Sequence, residues 1–307
     1  MSYYLGIDGG GTKTKVVVID NQDHIIFEGF SGPSSIDTVS QEDTLNSFFD
    51  ALTPFYDVNP QASFDSIFCG LGGIVSEDDF LHVTSLLKRL NGVTEITYIR
   101  ARNDMENALY SGLCFDEGMT LICGTGMVAY GKDTFGNTHK AGGWGYKEGD
   151  FGSSYDLGMR ALRHVIKTFD GRLQHDEFSK DIASQIGLIK ANDFVQIINE
   201  RYLDRTWIAN LSPLVTKHAN IGNIYAKEIV DLATDELTLA VRAVYANLRL
   251  KEKTLVIVGS LGNSGGYFEK QLHKKIIQID PKINIIKPII DPALAAAKMA
   301  KYLIETL

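Results

Sequence analysis

The sequence predicts an α/β protein of two related lobes, and three observations predict it. Short apolar runs rich in β-branched and aromatic residues alternate with stretches whose apolar residues recur at helical spacing. Residues 4–29 and 119–143 share one order of events: strand, Gly/Thr turn, strand, polar turn, strand. At 307 residues the chain exceeds what most single cores support, so a two-fold division is expected.

The elements follow in order. Tyr3-Tyr4-Leu5-Gly6-Ile7-Asp8 reads as the first strand and Val16-Val17-Val18-Ile19 as the second, joined by Gly9-Gly10-Gly11-Thr12-Lys13. After the polar turn Asp20-Asn21-Gln22-Asp23, Ile25-Ile26-Phe27 is the third strand. Residues 41–53 carry Leu45, Phe48, Phe49 and Leu52 at helical spacing, with Ser40 as N-cap and Pro54 as stop. A strand over 64–71, a helix over 77–90, a strand over 95–99 and a short helix over 103–113 complete the first half. The pattern then restarts with strands over 119–123, 127–131 and 138–141. An amphipathic helix over 153–169 and several more across 176–250 follow. Thr254-Leu255-Val256-Ile257-Val258 is a fully apolar strand, then come a helix over 267–277, a strand over 283–286 and an alanine-rich helix over 292–304.

Three glycine-rich turns each follow an apolar strand. In the first, Asp8 ends the strand and three glycines allow positive φ and close approach of a ligand to the backbone. Such turns aim N–H groups into one concavity that suits phosphate oxygens. Thr12 adds a hydroxyl and Lys13 a charge. Asp8 would repel phosphate directly, and makes sense with a divalent cation, Mg2+ held through water, between them. An ordinary glycine-rich hairpin is the competing reading, because short glycine motifs recur by chance. Gly124-Thr125-Gly126 is the second turn. Gly259-Ser260-Leu261-Gly262 ends a buried strand and opens a helix, a position where ligands bind α/β sheets, although a helix-capping loop would look the same.

Two further constellations carry chemistry. Asp104 follows Asn103 at a strand-to-helix junction, where an acid is either a helix-dipole partner or a general base for phosphoryl transfer. Gly142-Gly143-Trp144-Gly145 and Gly149-Asp150-Phe151-Gly152-Ser153 surround one Trp with glycines. A sugar could stack on that ring and present hydroxyls to a carboxylate; a structural Trp in a glycine-rich connection is the alternative.

Composition narrows the partners. Hydrophobic residues make up 44% and charged residues 22%, an ordinary globular balance. A net charge of -8 argues against nucleic acid, which needs a basic face. Cys69, Cys114 and Cys123 form no CxxC pair, so a reducing compartment is expected, with Cys69 and Cys123 as small buried hydrophobes. The opening residues lack a leader pattern and no apolar stretch approaches the ~18 residues that a membrane span requires. The expectation is a cytoplasmic protein with no membrane or nucleic-acid partner.

Taken together, Gly6-Ile7-Asp8-Gly9-Gly10-Gly11-Thr12-Lys13-Thr14, Asn103-Asp104, Gly124-Thr125-Gly126, Gly142-Gly143-Trp144-Gly145, Val258-Gly259-Ser260 and Pro292-Ala293 resemble the N-acetylglucosamine kinase and glucosamine kinase group of the BadF/BadG/BcrA/BcrD ATPase family. The resemblance spans essentially the whole chain. It implies the actin-like (ribonuclease H-like) fold of the actin/hexokinase/Hsp70 type: two βββαβαβα lobes with a cleft between them, residues 1–115 plus 291–307 forming one and 116–290 the other. It implies ATP and Mg2+ as cofactors, an amino-sugar substrate and a homodimer. Asp8, Gly9, Gly10, Gly11, Thr12 and Lys13 then form the first phosphate hairpin, with Mg2+ near Asp8. Gly124, Thr125 and Gly126 form the second, and Gly259 and Ser260 the adenosine loop. Asp104 becomes the base, and Ser35, Gly73, Asn103, Gly143, Trp144, Gly145 and Asp150 the sugar side.

Three departures fall on that sugar side. Met127 stands where such kinases often have serine, Phe151 where they have glutamate, and Ser34-Ser35-Ile36 where the loop commonly supplies asparagine. The nucleotide side is intact. N-acetylglucosamine is therefore the first substrate expected, with glucosamine and N-acetylmuramic acid as further candidates; the last would need a cation such as Arg102 or Lys147. A non-kinase ATPase, such as a dehydratase activator with an iron–sulfur cluster, is the alternative, and the scattered cysteines argue against it. A sugar-responsive repressor would need a helix-turn-helix ahead of the hairpin, which starts at Tyr3, and is not expected.

Overall fold

Burial decides which of the apolar runs become strands. The computed structural model of the chain describes residues 2–201 and 203–306, and Met1, Tyr202 and Leu307 lie outside them. The chain divides into two units, Met1–Phe115 with Pro288–Leu307, and Asp116–Lys287.

In the first unit, β1 (Tyr4–Gly9), β2 (Thr14–Ile19) and β3 (Ile25–Ser31) form an antiparallel meander. α1 (Gln41–Val58), β4 (Ser66–Leu71), α2 (Glu77–Leu87), β5 (Tyr98–Asn103) and α3 (Asp104–Tyr110) follow. β4 adds parallel to β1 and β5 parallel to β4, giving the order β3-β2-β1-β4-β5. β1 and β4 are central and almost wholly buried, which explains why they read as continuous apolar runs.

Two expectations change here. The first helix passes through Pro54 instead of stopping before it. Proline removes one bond, to the carbonyl of Asp50, which is exposed and open to water. Fully buried Phe55 anchors the next turn, and both the backbone N–H and the side-chain amide of Asn59 donate to its carbonyl. The fifth strand covers Tyr98–Asn103, not 95–99. Its Arg100 and Arg102 hid it from apolar patterning, but an edge strand tolerates charge. The shift makes Asn103 the strand's last residue and Asp104 the helix's first.

The second unit repeats the topology. β6 (Gly118–Cys123), β7 (Met127–Lys132) and β8 (Thr138–Gly142) form the meander. Among the described residues six helices intervene: α4 (Ser154–Phe169), α5 (Glu177–Ile186), α6 (Asp193–Arg201), α7 (Arg205–Ala209), α8 (Ser212–Asn220) and α9 (Ile224–Asn247). β9 (Thr254–Val258), α10 (Gly266–Ile277) and β10 (Asn284–Ile286) close the sheet, ordered β10-β9-β6-β7-β8 with both added strands parallel. Read from the other edge it is the order of the first sheet, so the echo seen in the sequence is a duplicated fold. Each unit has its own hydrophobic cluster, with Cys123 in one and Cys69 in the other, both fully buried.

The last helix, α11 (Pro292–Glu305), belongs to the first unit. Its Ala293, Ala296 and Ala297 are fully buried against Gly6 of β1, where a Cβ would run into the helix backbone. Lys298 and Lys301 pair with Asp23 in the β2–β3 turn, Lys301 at 2.8 Å. Among the described residues no helix is long and apolar enough to cross a membrane.

Candidate active site

In the first unit the β1–β2 turn is closed by a bond from Gly10 N–H to the Lys13 carbonyl at 3.0 Å, and residues 11–13 are exposed. None of Gly9, Gly10 or Gly11 has positive φ, so their conformational freedom is not what the turn uses. Gly9 is required by packing, since a Cβ would overlap Ser34 and Leu71. Gly10 and Gly11 are required by neither: an added Cβ would meet nothing closer than 3.5 Å. Without a Cβ at these two positions the face of the turn stays open to close approach of a ligand to the backbone.

The turn is fastened from below. The Gly10 carbonyl accepts the Ser34 and Ser35 N–H groups at 3.1 and 3.3 Å, and the Gly9 carbonyl accepts Gly72 N–H at 2.9 Å. The buried Thr14 hydroxyl donates to Gly32 O and lies at the same 2.7 Å from Ser34 Oγ, whose own hydroxyl can donate to it.

Asp8 pairs with Lys15 across the ladder and points to α3, where Asn107 Nδ2 donates to its Oδ1 at 2.7 Å. No protein donor reaches Oδ2 among the described residues. Burial, only partly offset by that bond, and the like charge of Asp291 raise the carboxyl to about 6, against the pull of Lys13 and Lys15. Lys15 is engaged by Glu28 at 3.0 Å and Asp291 at 3.3 Å. A buried carboxylate with one bare oxygen is a hard-oxygen donor of the kind a hydrated Mg2+ accepts.

Asp104 opens α3, with Asn103 as N-cap. Its carboxyl receives no side-chain donor among the described residues. Burial raises it to about 7, reinforced by the like charges of Asp8 and Asp37 and opposed by N–H groups at the helix start. Asn103 commits both ends of its amide locally, Oδ1 to Met105 N–H at 3.1 Å and Nδ2 to Ile74 O at 2.7 Å. Buried Ser35 donates to exposed Asp37, and Gly73, at φ +85°, packs against the same residue. The fold thus gathers Asp8, Ser35, Asp37, Gly73, Asn103 and Asp104 within one unit.

In the second unit the β6–β7 turn repeats the pattern. Gly124 N–H donates to Gly126 O at 3.0 Å, and Gly124 has neither positive φ nor any atom within 4 Å of an added Cβ. The start of α4 fastens it: Ser154 and Tyr155 N–H donate to the Gly124 and Thr125 carbonyls at 2.8 and 3.3 Å. Asp150 is buried beside the turn and pairs with Arg205 Nη2 at 2.9 Å, both packed where a Gly126 side chain would be. Burial raises the Asp150 carboxyl, opposed first by Arg205. Arg205 also lies over the Tyr146 ring. Trp144 is 71% exposed, with Lys140 Nζ 4.0 Å from its ring centre and bonded to Gly143 O. Gly143 and Gly145 have positive φ. Gly259, at φ +102°, lies against the Cys123 carbonyl, so β9 runs into its loop directly beside the second turn, with exposed Ser260 next.

Of the departures, Met127 is buried with Sδ against Gly142, and Phe151 is half-exposed. Of the candidate carboxylate-binding cations, Arg102 packs over Phe80 and lies 3.6 Å from Glu106, and Lys147 lies over Tyr146.

Sequence reasoning missed Asn107, Asp37 and Arg205. Asn107 could have been found, since it lies one helical turn from Asp104 on the same face. Asp37 had only its spacing from Ser35. Arg205 meets Asp150 across 55 residues of chain, and no local pattern signals that.

A model of the BadF/BadG/BcrA/BcrD ATPase family matches residues 5–300. The chain is 29% identical to the N-acetylmuramic acid/N-acetylglucosamine kinase of Clostridium acetobutylicum, over 98% of this chain and 99% of that one. It is 31% identical to the N-acetyl-D-glucosamine kinase of Dictyostelium discoideum, over 97% of each. Among solved structures, a Chromobacterium violaceum protein superposes with a TM-score of 0.78 at 21% identity, covering 98% of this chain and 99% of that one.

Proposed function

The chain belongs to the BadF/BadG/BcrA/BcrD ATPase family, and from that premise we propose that it is an ATP-dependent amino-sugar kinase. Its first substrate is N-acetylglucosamine, with glucosamine and N-acetylmuramic acid as further candidates. The observation that carries the reading is Asp104: a partly buried carboxyl at a helix start, without a side-chain donor among the described residues and raised to about 7. A base poised near the working pH is what proton removal from a sugar hydroxyl requires. The names of the relatives from Clostridium acetobutylicum and Dictyostelium discoideum support the acceptor class.

In the proposed reaction Asp104 takes the proton of the attacking hydroxyl as its oxygen bonds to the γ-phosphorus and the β,γ-bridging bond breaks, releasing ADP. The turn at residues 8–13 and the turn of Gly124, Thr125 and Gly126 hold phosphate oxygens through the N–H groups they leave unbonded, since Gly10 and Gly124 N–H each close their own turn. Gly259 and Ser260 receive the adenosine. Ser35, Gly73, Asn103, Gly143, Trp144, Gly145 and Asp150 are the sugar side. Mg2+ near Asp8, when bound, neutralises phosphate charge. The reading extends to a homodimer working in the cytoplasm.

The test is a panel of amino sugars and hexoses with Mg·ATP, followed by ADP release. ADP formation dependent on N-acetylglucosamine or a related amino sugar is expected. ATP turnover indifferent to every sugar would overturn the reading in favour of a non-kinase ATPase.

A further inference from the structure

A glycine inside a strand weakens it, and Gly70, the next-to-last residue of β4, lies beside Asp8. The structure gives it a reason. A Cβ on Gly70 would collide with the side-chain amide of Asn107, so the strand yields its side-chain space to that amide.

Asn107 is fully buried on α3, one helical turn beyond Asp104. Its Nδ2 faces three oxygens: Asp8 Oδ1 at 2.7 Å, Ile7 O at 3.1 Å and Gly70 O at 3.4 Å. Its own Oδ1 is buried without a partner among the described residues. Three acceptors around one nitrogen fix the amide's orientation, because a flip would turn an oxygen toward all three. An orphaned buried acceptor is a cost that native structures rarely carry without cause. Here the donor end has been satisfied at the expense of the acceptor end.

We propose that Asn107 is a positioning residue for the metal and phosphate end of the site, holding the Asp8 carboxylate in one orientation and locking it to the helix that carries Asp104. The proposal rests on the reading of Asp8 as the residue that meets hydrated Mg2+. With Oδ1 tied to the amide, Oδ2 is the oxygen left to a ligand. The same amide bonds β1, meets β4 and rides on α3, so the three elements that present Asp8 and Asp104 move as one body.

The test is calorimetric binding of ADP by the full chain, with Mg2+ and with EDTA. Asn107→Leu keeps the bulk and removes the donor. Loss of a charge-assisted hydrogen bond predicts Mg·ADP binding weaker by roughly ten- to a hundred-fold, with metal-free ADP binding unchanged. Asn107→Ser, which retains a hydroxyl, should lose less and covers the case in which the leucine variant does not fold. Wild-type Mg·ADP affinity in a folded variant would overturn the proposal, and so would equal losses with and without metal, which mark a general scaffold defect. A wild-type chain that binds ADP equally with and without Mg2+ would overturn both this proposal and the metal reading of Asp8, and it is distinguishable because it appears before any substitution.

Discussion

Asp104 is held in a state that favours its proton. Because burial and the Asp8 and Asp37 charges raise it to about 7, the carboxylate form that the proposed base needs is lost as pH falls below that value. A pH series of kcat/KM should therefore decline by about ten-fold per unit on the acid side. Asp104→Asn should retain nucleotide and sugar binding while turnover drops by roughly 10²–10⁴-fold, the usual span for removing a general base. Retained turnover would remove Asp104 from the role. The same shift has a stability sign. A carboxyl raised on folding contributes stability that is present below its unfolded value of 3.8 and lost as pH rises through about 7. Asp104→Asn should therefore be more stable than the wild type at pH 8, by on the order of 2 kcal/mol after allowance for partial exposure. The gap should close near pH 4 in urea titrations. A gap that persists there would mean that the charge is not its source.

At the level of elements, two kinds of glycine separate. Gly6 is demanded by the packing of α11 on β1, so Gly6→Val should overpack that contact and cost about 3 kcal/mol or more in urea unfolding. Gly10 and Gly124 are demanded by neither packing nor φ. Gly10→Ala and Gly124→Ala should leave stability within about 0.5 kcal/mol, and their effect should fall on KM for ATP. Unchanged ATP binding in both would make them ordinary turns. Arg205→Met should loosen Asp150 and the second turn together, read as raised KM values with the fold retained. Much at this scale was legible in sequence, because strand-turn-strand spacing is local. Pro54 misled because the force that continues α1 is the burial of Phe55, a tertiary contact. β5 was misplaced because an edge strand carries Arg100 and Arg102 without an apolar alternation.

On the scale of the whole molecule, the repeated sheet order is the actin-like duplication that the motifs implied. Residues proposed to act through the backbone, Gly10, Gly11 and Gly124, could be found from their spacing. Partners that meet across long stretches of chain could not: Asn107 reaches Asp8 over 99 residues and Lys298 reaches Asp23 over 275. Because each unit has its own core, scanning calorimetry should resolve more than one transition. Gly6→Val should lower only one of them. A single transition shifted as a whole would mean that the cores melt together.

The return of α11 to β1 also sets an order of events during synthesis. The second unit, 116–287, is contiguous and emerges complete, so it can fold on the ribosome. The first unit begins earlier and finishes later: the surface around Gly6 waits for Ala293 and Ala297, which are added only after the whole second unit. The strand that presents Asp8 is therefore sealed last. A polypeptide cut before α11 would hold a finished second unit and a β1 whose face at Gly6 is bare.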